Sequence, residues 1–199
     1  RASGIQSRKF NRAGTAIAMG EEKIHFNGRF LGVRELDNWE FVTRTNAIAV
    51  AVLIPLTDSD ELVFVEQFRI PVQSRVVELP AGLVGDLHDP GETVSTAAQR
   101  ELVEETGYQA GKLQHLLTCP SSPGLCDEQI SFFLATELVK VGEGGGDESE
   151  DIVVHPVPLA NASDWLAEMM KQDRQVDPKV YSALFWLQRL KQGLPALPF

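Results

Sequence analysis

Three glutamates, Glu101, Glu104 and Glu105, follow Arg100 in the run GETVSTAAQRELVEETGY, residues 91–108. In a helix each residue turns by about 100°, so the three carboxylates share an arc of about 100°. Val94, Ala97 and Ala98 lie within about 60° of Glu101 on that same arc. The arc that should face the protein in the first half thus becomes an arc of carboxylates in the second. Like charges repel there, desolvation is costly, and the helix C-terminus disfavours anions. A divalent cation would offset all three, and oxygen-only ligands favour Mg²⁺ or Mn²⁺ over zinc. The alternative is a solvated acidic face that follows a stripe of small residues. Arg100 can orient or partly neutralise the cluster. Glu92 stands at the helix start, where an anion is favourable, and serves equally as a plain N-terminal acid or a catalytic one.

The elements that must position this helix read as strands first, with helices interspersed. EKIHFNGRFLGVREL and NWEFVTRT read as two strands, the first broken by a turn at Asn27-Gly28. AIAVAVLIPL is an apolar strand buried on both faces, and ELVFVEQFR is its hairpin partner across TDSD. RVVELPAG is a short strand stopped by Pro80 and Gly82. A helix is expected over 92–106, capped by Gly107. Strands follow at KLQHLLTC, QISFFLATEL and IVVHPVPL, with VGEGGGDESED as a loop whose GGGDESED is either a solvated acidic stretch or a lid that adds a carboxylate to the site from across a dimer. Ser163 is expected to cap a helix over SDWLAEMMKQ. A closing helix has Pro178 near its start and Gly193 past its end. The order fits a mixed α/β or α+β sandwich.

The chain has 199 residues, 43% hydrophobic, with a net charge of −10. This suffices for one domain with an appended arm. The acidity argues against a nucleic-acid or membrane surface, so an anionic substrate must be held by a few local cations or by metal. No apolar run approaches the ~18–20 residues that span a bilayer. Cys119 and Cys126 are expected as free thiols. His25, His88, His115 and His155 have no ligand spacing, so zinc is not expected. The first residue is not Met, as in a trimmed or truncated start, and a cytoplasmic location is expected. Residues 1–20 are expected to be a mobile lead-in.

The run 91–108 resembles the second part of the Nudix box, G-x5-E-x7-R-E-U-x-E-E-x-G-U. Glu92, Arg100, Glu101, Leu102, Glu104, Glu105 and Gly107 fall on its positions, and Tyr108 on the last apolar one. The departure is in front: Asp86 stands where the first glycine belongs, and Gly82 lies ten before Glu92. GDLH (85–88), or a neighbouring four, reads as a loop insertion. LVFVEQFRIPVQSRVVELPAGL, SPGLCDE and DPKVYSALFWLQRL resemble segments of ADP-ribose pyrophosphatases and related nucleotide-sugar hydrolases.

The resemblance implies a Nudix α/β/α sandwich with a mixed sheet over 47–199, preceded by an N-terminal β arm over 21–46 at the interface of a homodimer. It implies Glu101 and Glu105 as the principal metal ligands, with Glu104 beside them and the Ala81 carbonyl completing the site. Arg100 belongs to the same catalytic group. Glu128 matches a loop glutamate that acts as general base or completes a metal site, and Asp127 could share that role. Arg44 and Arg69 are implied as phosphate clamps, since arginine stays charged and binds phosphate bidentately. Either could otherwise be a surface strand residue. Glu78 is expected to contact substrate or water at the metal. Trp39, with Phe30 as a weaker partner, is expected to stack on the base or to be buried at an interface. The activity implied is Mg²⁺-dependent hydrolysis of ADP-ribose to AMP and ribose 5-phosphate, with Mn²⁺ as a substitute. A hydrolase of another nucleoside diphosphate sugar, such as GDP-mannose, is the alternative, and a non-catalytic ligand-binding module a third.

Overall fold

A computed structural model describes residues 20–85, 91–146 and 150–197. The lead-in before Gly20, the insertion beyond Gly85 and residues 147–149 of the acidic loop lie outside the described residues. Three strands, β1 (Lys23–Asn27), β2 (Leu31–Leu36) and β3 (Trp39–Arg44), form an antiparallel sheet of their own. The Asn27-Gly28 turn forms as expected, with the Gly28 N–H donating to Leu31 O at 2.8 Å. Asp37 and Asn38 turn the second hairpin with φ of 53° and 65°, the left-handed pair that a two-residue hairpin loop requires.

Strand β4 (Ala49–Pro55) is buried on both faces, with Ala51, Val52, Leu53 and Ile54 at 0% exposure. It runs antiparallel to β7 (Ala81–Val84) and parallel to β9 (Gln129–Lys140), and β8 (Tyr108–Pro120) completes the order β7-β4-β9-β8. Helix α1 (Val94–Thr106) covers one face, packing Ala97, Ala98 and Leu102 on Ala51, Leu53 and Phe133. The other face, through Val52 and Ile54, shares a core with a second sheet and with α2 (Ala162–Lys171) and α3 (Pro178–Lys191).

That second sheet corrects two expectations. Strand β5 (Glu61–Arg69) is not the ladder partner of β4; an isolated bridge from Leu56, just past the end of β4, to Leu62 is what joins them. It pairs instead with β10 (Val153–Pro158) and β6 (Ser74–Glu78). Leu62 to Val65 are fully buried, as is the middle of β4. Two strands apolar on both faces are each covered better in facing sheets than side by side in one. The RVVELPAG strand is likewise divided at Leu79-Pro80, with β6 in one sheet and β7 in the other. Gly82 therefore lies inside a strand and does not end one.

A two-residue strand, β11 (Gln175–Val176), joins β6 in parallel and was not expected. Ser163 lies within α2 and does not cap it. A 3₁₀ turn, Leu159–Asn161, runs into the helix, and the Ala162 N–H donates to Leu159 O. The closing helix begins as expected at Pro178, where the Asp177 carboxylate accepts from the Lys179 N–H at 2.7 Å. Gly193 follows its end with φ of 72°. The result is the expected layered α/β/α sandwich. Among the described residues no helix is long and apolar enough to cross a membrane. Cys119 and Cys126 are free thiols.

Candidate active site

The α1 carboxylates are placed by both ends of their helix and by the strand beneath it. Thr93 caps the start by accepting from the Thr96 N–H at 3.2 Å, so the helix begins at Val94, two residues later than expected. Gly107 ends it with φ of 70°, donating its N–H to Val103 O. Beneath, β7 passes so close that a Cβ on Gly82 would sit 1.7 Å from Cδ of Glu101. That contact is why the strand carries glycine there.

Glu105 is 3% exposed, and its Oε2 accepts from the Ala81 N–H at 3.0 Å. Ala81, expected to offer its carbonyl, holds the Glu105 carboxylate through its N–H. The Glu101 side chain is 13% exposed, whereas Glu104 is half exposed on the rim of the arc. Burial pushes the Glu105 carboxyl up to about 9; the Ala81 hydrogen bond opposes this, and the charges of Glu101 and Glu150 add to it. Burial likewise pushes Glu101 up to about 7 against the pull of Arg100.

Arg100 organises the rest. Its Nε and Nη2 hold Glu92 at 3.0 and 3.2 Å, its Nη1 donates to Glu101 at 2.8 Å and Glu104 at 3.0 Å, and its Nη2 reaches Leu83 O at 3.2 Å. The fork keeps Glu92 below the usual carboxylate range, and the same bonds raise the Arg100 pKa. Glu92 therefore serves the site by fixing Arg100 and is not a free helix acid.

These residues fit a divalent cation. Glu101 and Glu105, one turn apart, are partly and almost fully buried with their ionised forms disfavoured even beside Arg100, and an all-oxygen donor set suits a hard ion. Among the described residues, the group of three ligating side chains with ligand atoms within 4.8 Å of one another is His25, Glu35 and Glu40 on the arm. There the Lys23 ammonium already occupies Glu35 at 2.7 Å, which disfavours a cation. The α1 carboxylates do not all lie that close together.

Both expected phosphate clamps are engaged with acids. Arg69 holds Glu78 through two bonds of 2.6 Å, and Glu78 raises its pKa most, with the charges of Glu105 and Glu150 adding to that. Arg44 donates through Nε to Glu128, and Thr43 Oγ1 donates to Asp127 at 2.9 Å. Backbone bonds between Val42 and both Leu125 and Asp127 dock β3 on the SPGLCDE loop. Arg44, Glu128 and Asp127 line a hollow of about 100 Å³ beside the start of β4. Trp39 is 62% and Phe30 48% exposed on the arm, with the Arg29 guanidinium 4.7 Å above the Phe30 ring.

Glu150 was not singled out in the sequence, where the lid alternative had its loop adding a carboxylate from across a dimer. Its charge acts on Glu101, Glu105 and Arg69, so the acidic loop returns to the cluster. The loop docks by backbone: Gly145 N–H donates to Glu105 O at 2.8 Å and Gly146 N–H to Glu104 O at 3.0 Å. Gly144, Gly145 and Gly146 have φ of 76°, 107° and 78°. A run of three glycines between a strand and an acidic segment was the available signal. Lys140 Nζ reaches Thr106 O at 2.8 Å, a cation at the negative end of α1.

Residues 47–180 match the profile of the NUDIX domain. The chain is 37% identical to an ADP-ribose pyrophosphatase of Bacillus subtilis (strain 168) over 158 residues, 79% of each chain. It is 32% identical to a GDP-mannose pyrophosphatase of Escherichia coli O9:H4 (strain HS), covering 69% of this chain and 71% of the relative. A crystal structure of an ADP compounds hydrolase superposes with a TM-score of 0.68 at 23% identity, covering 94% of this chain and 98% of that one.

Proposed function

The chain belongs to the Nudix family, and on that premise we propose that it hydrolyses the pyrophosphate bond of ADP-ribose to AMP and ribose 5-phosphate with Mg²⁺. The observation that carries this reading is the pair Glu101 and Glu105, the first partly and the second almost fully buried, set against β7 in a chain 37% identical to an ADP-ribose pyrophosphatase. Glu101, Glu105 and the Ala81 carbonyl would hold the cation, with Glu104 at the rim. When bound, the cation withdraws charge from phosphate oxygens and acidifies water. Mn²⁺ meets the same oxygen donors.

The protein's own groups do the rest. Arg100 holds Glu101 in place. Arg69 and Arg44 exchange their carboxylate partners for phosphate oxygens as substrate enters, which frees Glu78 and Glu128 at the moment charge is delivered. The proton lost by the attacking water needs a carboxylate that is not itself a ligand. Glu128 on the SPGLCDE loop is one such group, with Asp127 beside it, and Glu150 is the acid whose charge reaches the ligand pair. Trp39 and Phe30 would stack on the base if the arm closes over the site of a partner subunit. GDP-mannose is the second reading, favoured by the GDP-mannose pyrophosphatases among the relatives.

Hydrolysis of ADP-ribose, GDP-mannose, UDP-glucose, NADH and diadenosine polyphosphates with Mg²⁺ tests the reading. ADP-ribose is expected to lead, and Glu105→Gln to lose more than about a hundredfold of kcat/KM, beyond what removal of an outer partner of a ligand costs. Glu128→Gln and Glu150→Gln, compared at several pH values, identify the proton acceptor. If GDP-mannose leads, the chemistry stands and the substrate does not. Binding without turnover would return the chain to the ligand-binding reading.

A further inference from the structure

Glu66 on β5 is 4% exposed, and a carboxylate so buried needs compensating charge. Arg75 supplies it, with Nε donating to Glu66 Oε1 at 2.5 Å and Nη2 to the Glu66 carbonyl at 3.3 Å. His155 Nε2 lies 3.0 Å from the other carboxylate oxygen, and Arg174 Nε donates at 3.4 Å. Burial raises the Glu66 pKa, but the hydrogen bonds from Arg75 and His155 outweigh it and leave the carboxyl below its ordinary range. The Arg75 guanidinium is therefore fixed at its base.

Its free edge reaches into the acidic loop. Nη1 donates to Asp151 Oδ2 at 2.7 Å, and Nη2 donates to the Asp151 carbonyl at 3.2 Å. The Asp151 side chain is 78% exposed, so packing does not hold it and the arginine does. Glu150 comes directly before it and folds back on Gly146, where a Cβ would meet the Glu150 Cβ at 2.8 Å. Gly146 and Gly145 are bonded in turn to the carbonyls of Glu104 and Glu105. Glu150 is thus held from two sides, by the end of α1 and by Arg75.

Building on the assignment of the α1 carboxylates as the reaction site, we propose that Arg75 is a positioning residue. Anchored on buried Glu66, it grips Asp151 by carboxylate and carbonyl together and so sets where Glu150 stands at the end of α1 that carries Glu104 and Glu105. It acts on hydrolysis without touching substrate. A lysine in its place could still neutralise Glu66, but one ammonium lacks the planar fork needed to reach all of these acceptors. If the Arg75–Asp151 pair only fastened the surface, its loss would leave kcat unchanged, since exposed ion pairs contribute little. Misplacing a group that takes part in the reaction by about 1 Å can cost about a hundredfold in rate.

The test is a double-mutant cycle on the full chain with Mg²⁺ and whichever of the panel substrates the wild type turns over fastest. Arg75→Lys is expected to lower kcat by about tenfold to a hundredfold with KM within about twofold. In a Glu150→Gln background the same change should cost nothing further. Asp151→Ala, at an exposed side chain, should lower kcat in the same direction but less, because the carbonyl bond remains, and should leave the melting temperature unchanged. It carries the test if Arg75→Lys does not fold. Fold-losses that multiply across the cycle, or an unchanged kcat in Asp151→Ala and Arg75→Lys while Glu150→Gln is impaired, would overturn the positioning role and leave the site reading intact. An unimpaired Glu150→Gln removes Glu150 from the reaction and the role of Arg75 with it. A wild type that turns over none of the panel overturns both.

Discussion

Glu105 combines 3% exposure with a carboxyl pushed up to about 9, and Glu101 is pushed up to about 7. Both groups bind protons more tightly folded than unfolded, so the metal-free protein must lose stability as pH rises from the ordinary value of 4.5 through those values. Glu66 and Glu92, which are shifted downwards, act in the opposite sense, and only in the acid range below 4.5. The melting temperature of chelator-treated protein is therefore expected to fall between about pH 5 and pH 9. Added Mg²⁺ should restore more of it at pH 9 than at pH 5, because the cation binds the ionised form. Glu105→Gln should flatten both trends; a wild-type melting temperature indifferent to pH and Mg²⁺ would remove the cation from this arc. The carboxylate arc was legible in the sequence because a helix converts spacing into direction without help from the rest of the fold. The difference between buried Glu105 and half-exposed Glu104 was not, since it depends on where β7 passes.

At the scale of elements, the β7–α1 contact decides the site. Gly82 is needed for what it lacks, because any Cβ would occupy the space of the Glu101 carboxylate. The obstructing atoms end a flexible side chain, so the strand need not move. Gly82→Ala is then expected to cost no more than about 1 kcal/mol of stability, near the low end of overpacking penalties. It should nevertheless reduce kcat/KM by tenfold or more, on the order of what loss of a ligand-orienting contact costs. Steady-state kinetics beside a urea melt separates the two, and a variant that loses stability and activity in proportion would contradict this account. The glycine run is a different case. Gly144 combines φ of 76° with a Cβ position 2.4 Å from the Thr106 carbonyl carbon, and backbone cannot swing aside. Gly144→Ala is expected to destabilise by about 1–3 kcal/mol, read from the midpoint of the same melt. Apolar β4, the start of α3 at Pro178 and the Asn27-Gly28 turn were readable from local pattern. The β4–β5 pairing was misread because a polar turn between apolar strands says that the chain reverses, not into which sheet it returns. Two-residue β11 carries too little pattern to be seen at all.

At the scale of the molecule, the arm over 21–46 exposes Ile24, Phe26, Phe30, Leu31 and Trp39, at 47–63% each. Apolar surface concentrated on one small sheet marks an interaction surface, and the homodimer implied by the sequence resemblance would cover it. Sedimentation is expected to give a dimer, and Phe26→Asp with Trp39→Asp to shift it towards monomer while lowering activity. A wild-type monomer with full activity would leave the arm without this role. The net charge of −10 has a further consequence. Arg44, Arg69, Arg75 and Arg100 are each already bonded to carboxylates, so an anionic substrate must displace an internal partner or be met by added cations. The helix and its acids, the glycine that ends it, the strand buried on both faces and the family were all readable from residue order. All of these rest on contacts within a few residues or on fixed spacing. Which carboxylates lose water, which cations each acid already holds, and the return of an acidic loop some 45 residues beyond Glu105, with Asp151 next to Glu150 bonded to Arg75, came from the folded arrangement. Those outcomes depend on which surfaces exclude solvent together, and chain order does not record that.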